Sequence, residues 1–226
     1  MREPNRLTKR EKLTALLYLP VHLLLLPLAL AFLLRNRGLD EAELNFLVCA
    51  VGASFLLAAL WNMFRRDYDA LCDQFGTVIF QVLGGYLITM GANTLLAMLL
   101  MEITGELNPN NVAVAEAAEQ NSAAMTAAAV FLTPIVEETI FRAGVFGTLR
   151  EKNRTVAYVV SILLFALFHV LGYVLENPLY LIYLIQYLPA SFLLCRCYEQ
   201  TGSIWTPIFL HMLINAVSMG ALEGLT

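Results

Sequence analysis

The segment Val136-Glu137-Glu138-Thr139-Ile140-Phe141-Arg142 sets two adjacent carboxylates and a guanidinium in a stretch otherwise free of charge from Ala123 to Leu149. Further on, His169 ends the run Phe165-Ala166-Leu167-Phe168-His169, and His211 stands four residues before Asn215. These types suit hydrolysis. A carboxylate such as Glu137 can deprotonate water, and a histidine such as His169 can orient that water or assist the proton transfer. A second histidine and an amide, His211 and Asn215, can donate hydrogen bonds to the oxyanion of a tetrahedral intermediate. No serine or cysteine is clearly paired with a base, which argues against a covalent route. Glu137, His169 and His211 could instead bind zinc, but HExxH spacing is absent and Asn215 would be a poor ligand. The expectation is a site without metal or other cofactor.

Helical geometry separates the two carboxylates. At about 100° per residue, Glu138 and Arg142 project about 40° apart and can neutralise each other, whereas Glu137 points about 100° away. Its charge must be met by another helix or by water in a cavity. Each feature has a plainer reading on its own. Glu138 and Arg142 could be a structural ion pair, His169 a packing histidine, and His211 with Asn215 an interhelical hydrogen-bonding pair. His22 lacks a companion and reads as structural.

The elements that must position these residues are membrane helices. Of 226 residues 59% are hydrophobic and 14% charged, against about half and a quarter in soluble domains. About seven apolar blocks of spanning length occur, near 13–34, 42–64, 77–101, 122–149, 156–175, 178–195 and 204–222. The expected fold is all-α, a polytopic transmembrane bundle. Residues 1–12 form a basic tail, 13–121 the first helices and a polar loop, and 122–226 the core bearing the site residues. The first block is longer than a usual signal-peptide apolar region and reads as a span. Lys and Arg gather at alternate ends (the N-terminus, Arg65-Arg66, Arg150 to Arg154, Arg196), so the N-terminus is expected in the cytoplasm. The stretch 65–76 reads as interfacial. In 102–121 Pro109 argues against helix, and Pro134 should free the carbonyl four residues before it. Thr206-Pro207 reads as the cap and first residue of the last helix. The cysteines, Cys49, Cys72, Cys195 and Cys197, fit no disulfide or ligand framework.

The three patterns Glu137-Glu138-x-x-x-Arg142, Phe165-x-x-x-His169 and His211-x-x-x-Asn215, in this order on three late helices, resemble the CPBP family, the CAAX protease and bacteriocin-processing (Abi-type) group. The resemblance covers roughly residues 130–220. It implies an intramembrane endopeptidase whose cavity opens toward the cytoplasm. It also implies that Glu137 and His169 activate water, that His211 and Asn215 stabilise the oxyanion, and that Glu138, Arg142 and Phe165 support them. The expected partners are membrane lipid and a peptide or protein substrate, lipidated in some relatives, with no nucleic acid. The expected location is the bacterial plasma membrane. The alternative is a non-catalytic binding or bacteriocin-immunity protein on the same fold; a proton-coupled transporter is a third reading. One count fits poorly. From the cytoplasmic helix ends His169 would lie about 20 Å deep and His211 only about 6–12 Å, at about 1.5 Å per residue.

Overall fold

A backbone in lipid has only itself to bond with, and helix is the outcome throughout. The computed structural model describes residues 7–223, with side chains to residue 220, and no strand occurs among them. Arg2 and Arg6 of the basic tail, and residues 224–226, lie outside the described residues. The helices are α1 (Lys9–Leu34), α2 (Glu41–Ala59), α3 (Trp61–Asp73), α4 (Phe75–Thr104), α5 (Pro109–Gln120), α6 (Ser122–Arg150), α7 (Arg154–Glu176), α8 (Pro178–Thr201) and α9 (Trp205–Glu223). Among the described residues six of these, α1, α2, α4, α6, α7 and α8, are long and apolar enough to cross a membrane. The seventh expected span is α9, 19 residues long. Phe80 is 73% exposed and Leu95 70%. Apolar side chains exposed to that degree, helix after helix, suit lipid rather than water. The chain is a multi-pass, all-helical membrane protein.

The basic helix ends meet at one end of the bundle, as the charge pattern requires. Lys12 of α1 pairs with Glu151 after α6 at 2.6 Å, and Arg66 of α3 with Glu11 of α1 at 3.0 Å. Glu199 near the end of α8 is buried and takes Arg150, Arg154 and the hydroxyl of Tyr158. By the positive-inside rule this end is cytoplasmic. Cys195 and Cys197 on the same helix are fully buried, which makes them packing residues.

Two prolines act otherwise than the sequence suggests. Pro109 does not exclude helix; it begins α5, where its missing N–H would be unpaired in any case. Asn108 before it accepts the Asn110 N–H at 3.0 Å and is the cap. Conversely, Thr206 is not the cap of α9, which starts one residue earlier at Trp205. The capping groups come from elsewhere. Asp67 of α3 accepts the Ile204 N–H at 2.9 Å, and the Ser203 hydroxyl, which accepts from the Trp205 N–H, donates to the Asp67 carbonyl at 2.6 Å. Ser203, Ile204 and Thr206 are wholly buried beneath α3. The amphipathic α3 turns Met63, Phe64, Ala70 and Leu71 inward and leaves Arg65 and Asp69 exposed, in keeping with an interfacial position.

α6 departs from regular helix in two π-helical stretches, Ala127–Leu132 and Thr139–Phe146. In the first, the Thr133 N–H bonds the Ala128 carbonyl, five residues back. The next donor in that register would be Pro134, which has none. The freed carbonyl is therefore that of Ala129, not of Val130 as the α-helical count gives. In the second, Gly144 lets α1 approach closely, since a Cβ there would lie 3.1 Å from that of Ala15. Replacing Asp67 with Ala should leave the Ile204 N–H buried without a partner, costing about 1–3 kcal/mol. Equilibrium unfolding in detergent micelles checks this; unchanged stability would show that α9 is not held at its start by Asp67.

Candidate active site

Four helices bring the site residues together: α6 supplies Glu137, Glu138 and Arg142, α7 Phe165 and His169, α9 His211 and Asn215, and α8 Ser191 and Tyr187. Glu138 and Arg142 are both completely buried. The guanidinium meets the carboxylate through two nitrogens, Nε to Oε2 at 3.1 Å and Nη1 to Oε1 at 3.2 Å. Arg142 also donates to the Ser191 hydroxyl at 3.1 Å and lies over the Phe165 ring, 4.2 Å from its centroid. Oε1 of Glu138 has a second partner, Nδ1 of His211 at 2.8 Å. A carboxylate oxygen accepts, so Nδ1 is the donor and Nε2 remains for other work. Arg142, Glu138 and His211 thus form a continuous chain from α6 to α9.

Glu137 lies outside this chain. Its Oε2 stands 3.7 Å from Nε2 of His169, too far for a direct hydrogen bond, and has no other hydrogen-bond partner. His169 is oriented from its other side, where Nδ1 lies 2.9 Å from the Phe165 carbonyl. That carbonyl can only accept, so Nδ1 carries a proton and Nε2 faces Glu137 as an acceptor in the neutral ring. The Phe165 ring packs between the two histidines, 4.5 Å from His169 and 5.9 Å from His211. Asn215 donates through Nδ2 to the Ala129 carbonyl at 2.8 Å, the carbonyl that Pro134 orphans. Its second N–H is left for another acceptor.

Glu137, His169, His211 and Asn215 line one cavity of about 500 Å³. The mismatch in depth resolves because α9 begins below the protein surface, under α3, so counting from its first residue understates how deep His211 lies. Sequence reasoning missed one neighbour. Tyr187 stacks on His169 with centroids 4.6 Å apart, and its hydroxyl accepts from Asn108 Nδ2 at 3.1 Å. The Asn108-Pro109 pair was the available signal. His22 is buried with its ring stacked on Phe168, as a packing residue would be. Among the described residues no group of three or more His, Cys, Asp or Glu is arranged to hold a metal ion.

Residues 119–217 match the family described as Type II CAAX prenyl endopeptidase Rce1-like. A curated protein of Bacillus subtilis (strain 168), named "Putative membrane peptidase YdiL", is 26% identical over 186 residues, 81% of this chain and 71% of that protein. Both likenesses support a CPBP-family intramembrane protease. No solved structure matches it. The matched segment runs from the end of α5 through most of α9 and holds every residue of the constellation.

From the site the cavity extends toward one end of the bundle. The residues lining it run from Glu137 and His211 toward the end that carries α5, and include Asn108, Asn111, Val114, Met125 and Ser218. On the basic side Phe141, Phe146 and Tyr198 are buried in the packed core. Arg142→Met should leave the Glu138 charge buried without its main partner and cost about 3–5 kcal/mol. Unfolding in detergent monitored by tryptophan fluorescence reads the loss; a variant as stable as wild type would mean the pair is not buried as described.

Proposed function

We propose that the protease hydrolyses peptide bonds of membrane-associated substrates with a water molecule activated by Glu137 and His169, without a metal ion. The observation that carries this is the facing pair of acceptors, Glu137 Oε2 and His169 Nε2, 3.7 Å apart. Two acceptors at that spacing cannot share a hydrogen bond, but a water can donate one hydrogen to each. Its oxygen lone pair is then free for the carbonyl carbon of the substrate. As the oxygen attacks, Glu137 takes the proton, and it or His169 returns it to the leaving amine. His211 and the free N–H of Asn215 donate to the oxyanion. With Nδ1 held by Glu138, Nε2 of His211 faces the cavity and donates to the oxyanion while the ring carries both its protons. The Bacillus subtilis relative supports a bacterial plasma membrane as the setting.

Glu137→Gln should lower cleavage by about 10²–10⁴-fold, the range for loss of a general base. Comparing membrane peptides of cells carrying wild type with those carrying Glu137→Gln reads this whatever the substrate is. Equal peptide pools would refute the assignment. Asn215→Ala should cost about 10²–10³-fold in kcat on a peptide so found, with KM little changed; a loss carried by KM alone would make Asn215 a binding residue. Activity of the purified enzyme should survive extended treatment with a zinc chelator, and abolition restored by added zinc would overturn the metal-free chemistry.

A further inference from the structure

We infer that the active-site cavity is entered from the non-cytoplasmic side of the membrane, so that the substrates are peptide segments displayed at the outer surface. Three independent observations converge on this.

The first is charge. Lys12, Arg66, Arg150 and Arg154 come from different parts of the chain and are tied into ion pairs at one end of the bundle. The opposite end has Arg35 and Arg37 as its only Lys or Arg residues, and the connection 102–121 has none. A distribution this uneven orients a membrane protein with its basic end in the cytoplasm.

The second is where the cavity lies along each helix. On α4 its lining residues Met90 to Ala97 fall in the half nearer Thr104, and on α6 they begin at Met125, close to the start of that helix at the α5 end. On α9 the lining residues Asn215, Ser218 and Met219 lead away from the buried start. No lining residue comes from α3 or from the loops at the basic end.

The third is how the two ends are built. At the basic end α3 covers the start of α9, and Ser203, Ile204 and Thr206 are sealed from solvent. At the other end α5 lies at the rim, with exposed Asn111 beside the cavity, and its cap Asn108 is hydrogen-bonded to Gln186 and Tyr187. Tyr187 in turn stacks on His169. The rim is therefore polar and coupled to the site, whereas the basic end is packed.

The substrate class rests on the protease reading above; the side of entry does not, and the experiment separates them. In the full chain with Cys49, Cys72, Cys195 and Cys197 replaced, single cysteines are placed by Ser218→Cys on the cavity wall and Lys152→Cys on the basic loop. Each is exposed to a small, charged, membrane-impermeant methanethiosulfonate, in right-side-out spheroplasts and in inverted vesicles. The cysteine at 218 should react in spheroplasts only and that at 152 in inverted vesicles only. Reaction of the 218 cysteine in inverted vesicles, alone or in addition, would overturn the side of entry. Should the quadruple replacement not fold, the same labelling of Thr94→Cys, with Cys72 alone replaced and the buried thiols kept, gives the same comparison. The cleavage sites lost in Glu137→Gln cells form the second arm. They should map to outward-facing segments of membrane or exported proteins, and sites in cytoplasmic segments would overturn the substrate class. Unchanged peptides with outside-only labelling would sink the protease chemistry and leave the entry side standing.

Discussion

Arg142 cannot leave water without a counter-charge, and the bundle is arranged around the one that meets it. Removing either member of a buried pair strands the other, whereas replacing both by apolar residues is often tolerated. The pair therefore needs a reason beyond stability, and its geometry supplies one. The same Glu138 oxygen that accepts from Arg142 also accepts from His211 on another helix. A charge that must be neutralised becomes a bracket that fixes a histidine's orientation and its proton. Ser191, the Phe165 ring and the Phe141 carbonyl, which accepts from Ser161 at 2.9 Å, tie the bracket to α7 and α8.

Glu137 is one residue along the chain and in a different situation. It escapes the bracket because helical geometry turns it aside, toward the cavity and His169. Adjacent carboxylates thereby serve separate ends, one held by a cation and one left facing an imidazole. The π-helical stretches on either side of this segment belong to the same design, since local widening of a helix commonly accompanies a functional site. The first exposes the Ala129 carbonyl that anchors Asn215, and the second presents Arg142 while α1 packs against Gly144.

Much of this was legible in the sequence, because lipid makes polar residues conspicuous. Seven apolar blocks, an uneven distribution of Lys and Arg, and three polar patterns gave the bundle and the residues that meet in it. What was not legible came from contacts distant in the chain. The sequence offered two residue pairs of the same form, Asn108-Pro109 and Thr206-Pro207. The first starts a helix; the second does not, because Asp67, far off in sequence, supplies the cap instead. The carbonyl freed by Pro134 shifted from Val130 to Ala129 because no local rule announces a π register. Tyr187 was missed because one tyrosine among nine has no distinguishing neighbour in sequence.

The central claim is that Glu138 holds His211 with its proton on Nδ1, leaving Nε2 to the cavity. Nitrogen-15 NMR of histidine-labelled protein in lipid nanodiscs tests it directly, with His22→Phe and His169→Gln spectra to assign the signals. The account predicts a protonated, strongly hydrogen-bonded Nδ1 for His211 whose signal moves toward that of an ordinary imidazole in Glu138→Gln. A bare Nδ1 on His211, or a signal indifferent to Glu138→Gln, would contradict it.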